Sequence, residues 1–158
     1  MQHLLTVQTG IQARSGSGPL PSSLTTPALD ELETLILWGM RQWMRAHKER
    51  RCATGSVLDA FEFSGLVPAL APLNRMMTLL ILGSRWRLAI ATMETAPLSI
   101  DEQLLLRILN AARQRQSDLV ESRLGMWMEQ VSVQATAQAA MLLAQTVFSS
   151  RTTVAADA

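Results

Sequence analysis

Apolar residues recur at helical spacing along much of the chain. Leu29, Leu32, Ile36, Met40 and Trp43 fall at intervals of three and four, which puts them on one face of a helix. The pattern predicts a first helix opening at Thr26-Pro27, where threonine can accept an unpaired backbone N–H and proline already has a helical φ. Asp30, Glu31 and Glu33 fall in its first turns and Arg45, Lys48, Arg50 and Arg51 near its far end, the order that complements the helix dipole. Thr54-Gly55-Ser56 is expected to break the chain, with Ser56 and Asp59 capping a short second helix that ends near Gly65. Leu66 to Pro72 reads as an irregular connection, because its two prolines restrict the residues before them. A third helix from about Pro72 to Leu82 is apolar on nearly every face, so it is expected to lie centrally and to stop at Gly83-Ser84.

Between Arg85 and Ala96 the pattern changes. Trp86, Leu88 and Ile90 alternate with Arg87, Ala89 and Ala91, the period of a strand, but no second strand is evident to pair with it. An extended loop is expected. Ser99-Ile100-Asp101-Glu102 then forms a capping box that opens a fourth helix, with Leu104, Leu105, Ile108, Leu109 and Ala112 on its buried face. After Ser117-Asp118 a further helix carries Val120, Leu124, Trp127, Met128, Val131 and Ala135 on one side and continues, with room for a bend, to Phe148. The expected fold is all-α: a single domain of about five helices, an irregular helical bundle over residues 27–150. Residues 1–26, with Gly10, Gly16, Gly18, Pro19 and Pro21 among serines and threonines, read as a flexible tail, and 151–158 as a frayed end.

Composition narrows the functional classes. A chain of 158 residues with 48% hydrophobic and 17% charged residues suits one globular domain. Its 14 basic and 13 acidic residues leave a net charge of +1, so no global field draws it to nucleic acid or to an anionic membrane. Cys52 is the single cysteine, which rules out an internal disulfide and a cysteine-rich zinc site and favours a reducing compartment, hence a cytoplasmic location. The first residues, Met1-Gln2-His3-Leu4-Leu5, do not read as a secretory signal. Leu66–Gly83 is interrupted by Pro68, Pro72, Asn74 and Arg75, and Val131–Phe148 by Gln134, Gln138 and Gln145, so no membrane insertion is expected.

Three surfaces are candidates for recognition. Trp38 projects onto the polar side of the first helix with Arg41 and Arg45, and an exposed indole beside guanidinium groups is a good partner-binding hot spot. Cover of Trp38 by the tail or another helix is the competing reading. The run Arg41, Arg45, Lys48, Arg50 and Arg51 can hold phosphates while Trp38 stacks a base, against the plainer reading of a solvated helix end. Leu119, Met126, Val133 and Ala140 recur every seventh residue on a second apolar face of the last helix, which suits docking of a second chain or burial within this one. Chemical sites are weaker. Asp59 and Glu62 share a helical face but suit a cap and a solvated charge, His47 reads as a core-edge histidine, and Cys52 as a buried or inert thiol. Neither a metal nor a cofactor is expected.

The stretches Leu73-Asn74-Arg75-Met76-Met77 and Pro97-Leu98-Ser99-Ile100-Asp101-Glu102-Gln103-Leu104-Leu105 resemble a group of uncharacterised all-helical proteins of proteobacterial type. In those, a Leu-Ser-x-Asp-Glu-x-x-Leu-Leu segment follows an irregular loop. The resemblance implies a bacterial helical protein and no particular activity. Its relatives carry cysteines just before this segment, where Met93, Glu94, Thr95 and Ala96 stand here, so no thiol or metal role carries over.

Together these features predict a non-enzymatic interaction or regulatory module. It would bind a protein partner or a second copy of itself as a homo-oligomer, through Trp38, Arg41 and Arg45 or through Leu119, Met126 and Val133. The alternative is a nucleic-acid-associated regulator using Lys48, Arg50 and Arg51. A third class, a helical enzyme or small-ligand binder, requires a deep pocket near Arg85, Arg87, Asp59 or Glu62.

Overall fold

A computed structural model describes residues 29–154. The expected tail over 1–26 lies outside them, and the first helix opens at Asp30 rather than at Thr26-Pro27. The described chain is all-α, with six helices rather than five: α1 (Glu31–Lys48), α2 (Ala53–Phe63), α3 (Leu70–Gly83), α4 (Ile100–Arg113), α5 (Ser117–Gly125) and α6 (Gln130–Val154). The last of these runs into the segment expected to fray. Among the described residues, no helix is long and apolar enough to cross a membrane.

Helix α1 is opened by Asp30. Its Oδ1 accepts the Glu33 N–H at 2.8 Å, and Glu33 Oε2 accepts the Asp30 N–H at 3.1 Å, so two otherwise orphaned donors are satisfied reciprocally. The predicted stripe is inside: Ile36, Met40 and Trp43 are buried, while Leu29 and Leu32 pack at its edge. The helix closes in a Schellman motif, with Arg51 N–H donating to the Ala46 carbonyl and Arg50 N–H to that of His47. The chain therefore breaks at Arg50–Cys52, earlier than Thr54-Gly55-Ser56. Those residues form the first turn of α2, and its cap is Cys52, whose Sγ accepts the Gly55 N–H at 3.3 Å. Ser56, expected as that cap, instead donates its hydroxyl to the Ala53 carbonyl. Gly65, at φ +68°, closes α2 as predicted.

A 3₁₀ turn, Val67–Ala69, leads straight into α3, so the irregular connection is shorter than expected. Pro68 and Pro72 stand near the starts of these elements, where the missing N–H costs little. Helix α3 is central as predicted, with Leu73, Met76, Met77 and Leu80 fully enclosed between α6 and the α1–α2 pair. Its last residue crosses the start of α6 closely. A Cβ on Gly83 would stand 2.6 Å from the Ser132 side chain and 2.8 Å from Met128, so only glycine fits.

That crossing also explains why the last helix is two. Glu129 N–H donates to the Gly83 carbonyl at 2.9 Å and Arg85 N–H to that of Trp127 at 3.1 Å, an antiparallel bridge that holds Ser84 beside Met128 and interrupts the helix. The interruption resets the helical phase. Val120, Leu124, Trp127 and Met128 are buried as expected, but Val131 is 85% exposed and Val133 takes the core position at 2%. From there α6 presents Ala137, Ala140, Leu143, Ala144 and Val147 inward, with small residues allowing close approach to α3 and α4. Trp127 is enclosed with no acceptor for its indole N–H among the described residues, which costs about 1–3 kcal/mol that its packing must exceed.

Candidate functional site

The segment between α3 and α4 is an extended loop, as its alternation predicts. Leu88 and Ile90 turn into the core, and Arg87 and Ala89 turn out. What fixes the loop is charge. Arg41, in the middle of α1, is only 8% exposed and meets Glu102 of α4, itself fully enclosed. Arg41 Nε donates to Glu102 Oε1 at 2.7 Å and its Nη2 to Oε2 at 3.0 Å, a two-pronged bond. The remaining guanidinium donors reach the loop, with Nη1 on the Thr95 carbonyl at 2.6 Å and Nη2 on that of Pro97 at 3.4 Å.

Glu102 completes the arrangement by accepting the N–H groups of Ala91 at 3.1 Å and Ser99 at 2.8 Å. The second of these is the predicted capping box. The neighbouring Asp101 accepts the Ala89 N–H at 2.6 Å, and the Ser99 hydroxyl donates to the Ala89 carbonyl. Burial alone would raise the Glu102 pKa, but the hydrogen bonds from Arg41 and the Ser99 backbone, with the guanidinium charge, outweigh it and hold the carboxyl below its ordinary value. The loop is therefore tied along the C-terminal half of α1 by side chains from two helices.

This placement builds a groove between the end of α1, the end of α3 and the loop. It has a volume of about 480 Å³, and its lining includes His47, Lys48, Arg50, Trp86 and Arg87 over a floor of Met44, Ile81 and Leu88. No carboxylate lines it. Lys48, Arg50 and Arg87 all have exposed side chains, and none makes an ion pair with another described residue. Trp86 is 52% exposed, a large apolar surface left against water beside these cations. The two groups in the lining with reactive character are engaged elsewhere: the Ser84 hydroxyl donates to the Leu80 carbonyl, and the His47 ring stacks on Trp43, with centroids 5.2 Å apart and planes 11° from parallel.

Arg50 carries a further signature. It closes the Schellman motif at φ +55°, a conformation that costs a side chain about 1–2 kcal/mol and usually selects glycine. Across the loop lies a second cavity of about 320 Å³, lined by Arg41, Arg45, Lys48 and also by Glu49 and Glu94. There carboxylates stand among the cations. Arg45 Nε pairs with Glu49 at 3.0 Å, and Arg51 bonds the same carboxylate. The two arginines together hold the exposed Glu49 carboxyl below its ordinary value.

The sequence-predicted residues are thus divided. Trp38 is half-buried against the core, Arg41 is consumed by Glu102, and Arg45 by Glu49, so the first expected surface is not assembled as projected. Of the seven-residue stripe, Leu119 and Met126 are exposed while Val133 is enclosed, because the break before α6 rotates the second half. Of the basic run, Lys48 and Arg50 meet in the groove, and Arg51 stays outside its lining. Asp59 and Glu62 are exposed on α2 and outside the groove lining, Cys52 is an exposed cap rather than a buried thiol, and His47, exposed but stacked on the buried Trp43, stands at the edge of the core. Among the described residues no cluster of His, Cys, Asp and Glu is arranged to hold a metal. Trp86 and Arg87 are the groove residues that local pattern does not reveal as partners of Lys48 and Arg50. Their alternation signals an extended segment, but not that it lies against α1.

No family model, curated protein or solved structure matches this chain.

Proposed function

We propose that the protein is a non-enzymatic regulatory module of the cytoplasm that works by binding, and that its recognition site is the cationic groove at the end of α1, which takes a phosphate-bearing ligand. One observation carries this reading: Lys48, Arg50 and Arg87 line one concave site without a carboxylate among its lining residues. Like charges brought together repel, and none of the three has a carboxylate partner among the described residues. An anion that binds all three relieves the repulsion and gains charge-assisted hydrogen bonds.

The test is a calorimetric titration of inorganic pyrophosphate into the full chain and into a Lys48→Ala/Arg87→Ala variant, at two salt concentrations. Binding that weakens with salt and drops at least tenfold in the variant is expected. No binding, or equal binding by both proteins, would overturn the assignment.

A second reading, self-association, has its own support. Leu82, Trp86, Met126 and Val131 are exposed, and each lies within three residues of the bridge between Ser84 and Met128 that joins the end of α3 to the start of α6. Apolar side chains gathered at one crossing favour contact with a second copy. Sedimentation of the wild type against Val131→Lys tests this: a dimer that the variant dissolves supports it, and a monomer at all concentrations removes it.

A further inference from the structure

The groove offers two different chemistries side by side: three unpaired cations and one half-exposed indole. Resting on the anion-binding reading above, we infer that its ligand is a nucleoside phosphate, held with its base against Trp86 and its phosphates between Lys48, Arg50 and Arg87.

Size and charge both point to one nucleotide rather than a strand. The volume of about 480 Å³ lies in the range of small-molecule sites, roughly 300–1,000 Å³, and accommodates a single base, sugar and phosphate group. A bound strand needs a positive track that continues beyond one residue of nucleic acid. Here the track is cut short. On the α1 side the neighbouring cavity carries Glu49 and Glu94, and at the α3–α6 crossing the exposed carboxylate Glu129 and the exposed Arg85 stand among the apolar Leu82, Met126 and Val131. A backbone phosphate leaving the groove toward α1 meets carboxylates, and one leaving toward the crossing meets Glu129 and apolar groups around the single cation Arg85.

The chemistry of the lining fits a phosphorylated ring better than a bare anion. A purely phosphate site has no use for a large apolar plate, and exposing half an indole is unfavourable unless something covers it. An indole stacks any base, which gives affinity without demanding one sequence or one ring. Arginine matches phosphate through paired N–H donors, and two of the three cations are arginines. The aliphatic floor formed by Met44, Ile81 and Leu88 can pack beneath the sugar.

The test uses the full chain. ADP, GDP, CDP and UDP are titrated separately, with inorganic pyrophosphate, adenosine and a thymidine decanucleotide as comparison probes. At least one nucleoside diphosphate is expected to bind at least tenfold more tightly than pyrophosphate. That preference should fall about tenfold or more in Trp86→Ala, while pyrophosphate binding stays unchanged. Circular dichroism confirms that the variant keeps its fold, and Trp86→Phe should restore most of the preference. If pyrophosphate binds as well as every nucleotide, or Trp86→Ala changes nothing, the nucleoside assignment fails and the anion site stands. A decanucleotide that binds more tightly than any single nucleotide would replace the nucleotide with a strand. If no phosphate compound binds, both readings fail together.

Discussion

Arg41, in the middle of α1, and Arg50, two residues past its end, carry the same charge on the same stretch of chain, yet their surroundings assign them opposite work. Arg41 is enclosed, meets a buried carboxylate through two hydrogen bonds and spends its other donors on loop carbonyls. Arg50 is exposed, has no partner among the described side chains, and sits in a backbone conformation that disfavours any residue with a Cβ. The first arrangement is how a protein uses charge to hold itself in shape; the second is how it leaves charge available. The two are linked, because the Arg41–Glu102 pair fixes the loop that brings Arg87 and Trp86 to the groove.

The largest effect should come from breaking the internal pair. Arg41→Ala or Glu102→Ala leaves an uncompensated buried charge and is expected to cost about 3–5 kcal/mol in urea unfolding. Acid should act on the same pair. The folded Glu102 carboxyl lies below its ordinary value, so its stabilisation is complete above the unfolded value of about 4.3 and is lost as pH falls through the lower folded value. Thermal melts of the wild type should therefore drop below about pH 4.3, and Glu102→Gln should flatten that part of the curve.

Next in size is Gly83→Ala. The added Cβ collides with Ser132 and Met128 at the α3–α6 crossing, and about 1–3 kcal/mol should be lost. This change separates a packing defect from a charge defect, since it leaves the groove's cations untouched.

The end of α4 gives a control for the end of α1. Arg115 also stands at positive φ, 59°, and also closes a Schellman motif, but it lines a different cavity, with Arg113 and Phe148. Replacing either arginine with glycine relieves the same strain and should stabilise the fold by about 0.5–1 kcal/mol. Only Arg50→Gly should weaken pyrophosphate binding. The smallest change is expected for Lys48→Ala, within about 0.5 kcal/mol in stability, since its side chain is exposed and unpaired. Its effect should be confined to binding.

Features encoded within a few residues were legible from the chain. The Ser99–Glu102 capping box, the stop at Gly83-Ser84, the αL glycine at Gly65 and the unpartnered extended segment after α3 all follow from local spacing. What depends on contacts between distant segments was not. Arg41 and Glu102 are 61 positions apart, and projecting α1 alone made Arg41 a solvent-facing charge. The helix break before Gln130 arises where Gly83 meets Glu129, so the continuous apolar pattern there favoured one helix, and Val131 and Val133 exchanged faces. The groove combines both cases. Lys48 and Arg50 belonged to a visible basic run, whereas Trp86 and Arg87 reach it only because the loop is tied down by Arg41, Asp101 and Glu102.

The separation of structural from available charge is tested most directly on Arg50→Gly in the full chain, by measuring its melting temperature and its pyrophosphate affinity on the same preparation. A protein that melts higher than wild type and binds at least tenfold more weakly is the expected result. A variant that binds pyrophosphate as tightly as wild type, or that melts lower, would show that Arg50 serves the fold and would contradict the assignment of the groove.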